Sequence, residues 1–131
     1  MVLNKLEILK LFRDNLILFL EDLINLFPQE GDFIKARLFL HDCPLEELLK
    51  HCSVILIQNS TKILNRDEEF FLNNLGGILN CTTDVSIQKL TYFKNLWLSN
   101  VLSPEDRVEM WKWFKNFLRI SQEYEKLNLS N

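Results

Sequence analysis

The sequence predicts an all-α fold, a compact bundle of five to six helices in one domain over residues 1–131. Three observations predict it. Apolar residues recur every three or four positions through long stretches, which is the spacing of one helix face. Only three Gly and three Pro occur in 131 residues, too few for the turns an all-β chain would need. Leu is abundant while Val occurs five times, a balance that favours helix over sheet. With 47% hydrophobic and 25% charged residues, the composition is that of a globular domain large enough to bury its own core.

The first helix is predicted over 3–27. Leu6, Leu9, Phe12, Leu16, Phe19 or Leu20, Leu23 and Phe27 share a face, which Leu11, Ile17, Leu18, Ile24 and Leu26 widen. Pro28 stops it, because the residue before a proline avoids α geometry. A short helix follows over 32–40. Asp42 is read as the cap of a third helix, with Pro44 in its first turn and Glu46 and Glu47 near the positive end of the dipole. The β-branched run 53–57 could pass for a buried strand, but with helix on both sides it is read as helix. Asn65 is read as the next cap, with Glu68 at the third helical position and Gly76-Gly77 as the stop. The stretch 77–84 reads as a loop. A helix over 85–100 carries the stripe Leu90, Phe93, Trp97 and Val101. The last helix has the clearest start: Ser103 as cap, Pro104 first, Glu105 and Asp106 in the opening turn. It is predicted to reach about Lys126, with 128–131 frayed.

Charge and cysteine usage narrow the function classes. The net charge is −3 and no Lys/Arg run occurs, which makes nucleic acid a poor candidate partner. Three cysteines, Cys43, Cys52 and Cys81, suit a reducing compartment rather than a disulfide framework. Charged residues interrupt the apolar N-terminus too early for a signal peptide, so the N-glycosylation sequons at Asn59, Asn80 and Asn128 carry little weight. No uncharged stretch nears the roughly 20 residues that span a bilayer. The expectation is an intracellular protein with no membrane partner.

The residues that could carry chemistry are few. His41, Cys43, His51 and Cys52 are zinc-type ligands, but adjacent helical residues point about 100° apart and seldom serve one ion. A Cys–His nucleophile would lack an elbow and a glycine-rich oxyanion loop. Asp67, Glu68 and Glu69 lie at a helix start, where carboxylates stabilise the dipole. No glycine loop cradles a phosphate. The sequence therefore predicts no catalytic residue, no metal and no cofactor.

The aromatic last helix is the most informative segment. Trp111, Phe114 and Leu118 form one stripe, and Trp113, Phe117, Ile120 and Tyr124 a second, offset by about 100–140°. Two stripes fit either a central buried helix or one that also meets a partner, since Trp and Tyr are enriched at interfaces. The interface alternative makes Trp111, Trp113, Phe117, Ile120 and Tyr124 the candidate contact residues. The over-wide first helix adds to it, and a two-fold homodimer is the expected form of self-association.

Three segments, 19–40, 65–74 and 92–117, resemble in order and spacing small helical proteins of nucleocytoplasmic large DNA viruses. The most specific part is Leu96, Trp97, Ser99, Glu105, Asp106, Arg107, Trp111, Trp113 and Phe114. The stretch 76–83 departs from that pattern. The resemblance implies a source, an infected cell or a virus particle, and no settled activity. The leading expectation is a non-enzymatic helical protein–protein interaction protein. One rival is a nucleic-acid or transcription regulator with a basic face of Lys89, Lys94, Lys112, Lys115 and Arg119. Another is a host-response inhibitor of the apoptosis-regulator type, which would need an open groove for a partner helix.

Overall fold

The computed structural model describes residues 3–40, 42, 44–73, 94–99 and 102–129. They are mostly helical, and no strand occurs among them. Helix α1 spans Lys5–Leu26, α2 Gly31–Phe39, α3 Leu45–Gln58, α4 Ser60–Leu64, α5 Glu68–Asn73 and α6 Pro104–Leu129, and residues 94–98 are also helical. That makes seven helical segments among the described residues, against five to six expected. Asn59 accounts for one break: it closes α3 and opens α4, and its side-chain amide donates to the Ile55 carbonyl at 2.8 Å.

Local chemistry sets most boundaries. Asn4 and Glu7 form a reciprocal capping box at the head of α1, with the Glu7 N–H donating to Asn4 Oδ1 at 2.8 Å. The helix ends before Phe27-Pro28. The Glu30 N–H then donates to the Phe27 carbonyl at 2.9 Å, turning the chain into α2. Arg37 reaches Glu21 at 2.9 Å, and the Phe27 and Phe33 rings lie 6.0 Å apart, pinning α2 to α1. Ser103 and Asp106 cap α6 reciprocally, each backbone N–H donating to the other's side chain at 3.1 Å.

Two expected caps differ. Pro44, not Asp42, occupies the N-cap of α3, and no side chain caps that end. Asp67 caps α5 in place of Asn65, accepting from the Phe70 N–H at 3.0 Å. Arg66 adopts a left-handed φ of 52°, and this tight turn out of α4 moves the helix start two residues on. The run 53–57 is helical within α3. The predicted stop at Gly76-Gly77, the loop 77–84 and most of the helix at 85–100 lie outside the described residues.

Helix α6 packs on α1, α3 and α4, α2 packs on α1, and α5 on α4. Two apolar clusters result. One gathers Ile8 and Phe12 from α1, Leu48 and Leu49 from α3, and Phe117, Ile120 and Tyr124 from α6. The other gathers Leu72, Trp97, Leu102, Met110 and Trp111. Phe19 and Trp113, with ring centroids 5.7 Å apart, pack against both and join them.

Candidate functional site

The five residues expected at a contact surface are placed by the same packing that builds the core. Trp111, Phe117, Ile120 and Tyr124 are buried, and Trp113 is half-buried. Trp111 meets Trp97 edge-on at 5.9 Å and Phe71 at 5.6 Å. Phe117 meets Phe12 and Phe19 at 6.2 and 5.6 Å. The Tyr124 hydroxyl donates to Glu46 at 3.2 Å, and the Trp113 indole N–H donates to Asp22 at 2.8 Å. Both stripes of α6 are therefore covered within one chain, by α1 and α3 on one side and by Phe71 and Trp97 on the other. The periodicity of the sequence located the stripes. It carried no information on how many neighbours would converge on them, and that number decides between core and interface.

Polar contacts lock the same helices from outside. Lys5 on α1 lies 2.6 Å from Glu46 on α3, which also receives Tyr124 of α6. Lys5 holds the Glu46 carboxyl below the ordinary carboxylate range, chiefly by hydrogen bonding, and is itself raised in return. Asp67 is likewise lowered, first by the Phe70 N–H it accepts and then by Lys62 at 3.4 Å. Glu68 faces Arg107 at 3.7 Å, so these carboxylates serve the helix start and its ion pairs.

The zinc-type group is only partly described. His51 is exposed while Cys52 turns toward the first cluster, and His41 and Cys43 lie outside the described residues. Among the described residues no three His, Cys, Asp or Glu side chains stand close enough to hold a metal ion. No described helix is long and apolar enough to cross a membrane.

What the molecule does present is an open groove of about 580 Å³ between α1, α4 and the polar side of α6. Leu64 and the edge of Trp113 form its apolar wall. Lys112, Lys115 and Arg119 stand along it at positions i, i+3 and i+7 of α6, one face of the helix. Glu109 pairs with Lys112 at 3.0 Å, whereas Lys115 and Arg119 have no carboxylate partner among the described residues. Asn15 and Asn116 meet across the groove, the Asn116 amide donating to Asn15 Oδ1. Three of the five residues of the expected basic face thus come together. Lys94 is half-buried in segment 94–98, and Lys89 lies outside the described residues. The amides were not singled out in the sequence, where an isolated Asn carries no distinguishing signal.

Comparison with protein-family profiles, with curated proteins and with solved structures returns no match.

Proposed function

We propose that this is a non-enzymatic interaction protein that acts by holding a protein partner, and that the partner docks in the groove between α1, α4 and α6. The observation that carries the reading is a pair of groove cations, Lys115 and Arg119, with no carboxylate partner among the described residues. A chain of net charge −3 lines one open groove with Lys112, Lys115 and Arg119. Cations serving only solubility tend to alternate with acids around a surface. Cations gathered in a concavity steer and orient an oppositely charged partner. In this reading the buried aromatic rings of α6 support the helix from behind, and of the five expected contact residues Trp113 reaches the groove. Self-association remains one form of the proposal, and the resemblance to proteins of large DNA viruses extends it to a source, the infected cell or the particle.

Affinity capture from the producing cell with mass spectrometry tests the reading when wild type is run beside the double variant Lys115→Glu, Arg119→Glu. A defined protein held by the wild type and released by the variant is the expected result. Equal capture by both would remove the groove from the interaction. Light scattering at tens of micromolar separates a second copy from a different partner.

The nucleic-acid reading keeps one favourable observation, the three cations on one face of α6. It predicts binding to DNA or RNA that weakens steeply as salt rises.

A further inference from the structure

We infer that the segment taken by the groove is an acidic polypeptide, its carboxylates read by Lys115 and Arg119 and its main chain by the amides beside them. The inference rests on the protein-partner reading above and deepens it. Three features favour a peptide over a phosphodiester chain.

The first is extent. Lys112 and Arg119 are seven residues apart, about 10 Å along a helix. A duplex presents a charge every ~1.7 Å and draws on cations far beyond such a span. One of the three cations is also already matched by Glu109. Two or three carboxylates of a short segment are enough to satisfy what is left.

The second is hydrogen-bond type. Phosphate and sugar-phosphate oxygens accept, so amide donors can serve them while the acceptors of the same amides go unused. This wall includes acceptors. The Asn15 amide donates to the Leu11 carbonyl at 2.8 Å and its Oδ1 accepts from Asn116, which leaves Asn116 Oδ1 without a donor among the described residues. Gln122 adds one further acceptor and two donors at the same wall. A main chain supplies one N–H and one C=O per residue, the mixed set that such a wall can satisfy.

The third is the wall itself. Leu64 and Trp113 give apolar surface at the groove, which suits aliphatic side chains interleaved with the acids. The groove volume lies in the range of sites that hold a drug-sized ligand, large enough for a few residues and too small for a folded domain.

Titration calorimetry of the full chain with three probes tests this: a short Glu/Leu peptide, the same peptide with Gln for Glu, and an oligothymidylate. The Glu/Leu peptide should bind, and its Gln counterpart should bind at least about tenfold more weakly, one rung of the affinity scale. Lys115→Glu with Arg119→Glu should abolish the difference. Asn116→Leu should weaken the Glu/Leu peptide while leaving the helical circular dichroism intact. Equal binding of the Glu and Gln peptides would overturn the proposal, as would no peptide binding or tighter binding of the oligothymidylate. Capture of a partner by both wild type and charge-reversed chains would sink the groove inference while leaving a protein partner standing elsewhere on the surface.

Discussion

At the scale of single residues, two polar groups, one bonded and one buried without a partner among the described residues, separate what helps the fold from what it merely tolerates. Trp113 donates to Asp22 across 91 positions of sequence, tying the start of the chain to its end. Trp113→Phe keeps most of the ring packing and removes the donor, so chemical denaturation should show a loss of about 1 kcal/mol. Ser121 is 1% exposed, and its hydroxyl has no hydrogen-bond partner among the described residues. A buried polar group in that state costs stability, so Ser121→Ala should be neutral or stabilising by up to about 1 kcal/mol. Loss of stability in Ser121→Ala would mean that a water or the helix backbone satisfies the hydroxyl. Glu46 gives the pH response. Its folded pKa lies below the ordinary value of 4.5, so its contribution is present above that value and is lost as pH falls through the folded one. The Tm gap between wild type and Glu46→Gln should therefore be widest near neutrality and close as the solution is acidified below about pH 4. Lys5 runs the other way, being raised from 10.5, and its share fades only as pH rises through that higher value.

Among the elements, α6 shows how far a sequence can be read and where reading stops. Its start was legible because a cap is local chemistry: Ser103 and Asp106 satisfy one another across one turn, and Pro104 between them needs no donor partner. Helix type was legible for the same reason, from the spacing of Leu and Phe in α1, α3 and α6. The caps of α3 and α5 were less so. Asp42 and Asn65 are good capping residues, and the choice passed to Pro44 and Asp67 because of backbone geometry, including the positive φ of Arg66. For the aromatic stripes the sequence offered two roles, a buried helix or a contact surface, and did not choose between them. The choice depends on α1 and α3 arriving on one side and on Trp97 and Phe71 on the other, contacts that join residues far apart in sequence. Leu49, fully buried between α1 and α6, is the sharpest probe of that convergence. Leu49→Ala should cost about 2–5 kcal/mol, and an exposed control, Leu38→Ala, within about 0.5 kcal/mol of zero.

On the scale of the whole molecule, the two clusters meet at Phe19 and Trp113. Neither cluster can loosen without disturbing that shared pair, so loss of helix and loss of aromatic packing should occur together. Far- and near-ultraviolet circular dichroism should trace one coincident thermal transition. Phe19→Ala should be the substitution most able to separate them, since it removes half of the joint. Two transitions in the wild type would show that the clusters unfold independently. The groove belongs to this scale as well, because its walls come from three helices and no segment carries it alone. Its cations were visible in the sequence as residues, but only the packing of α1 and α4 against α6 turned them into a site.

Trp113 stands in both places: one edge of its indole is at the groove wall and the rest is wedged between the clusters. The remaining tryptophans, Trp97 and Trp111, are buried away from solvent and provide a constant background. The chain thus carries its own optical reporter of occupancy. A bound segment that shields the Trp113 edge should shift its emission to the blue, and Lys115→Glu with Arg119→Glu, which leaves the indole in place, should abolish that shift.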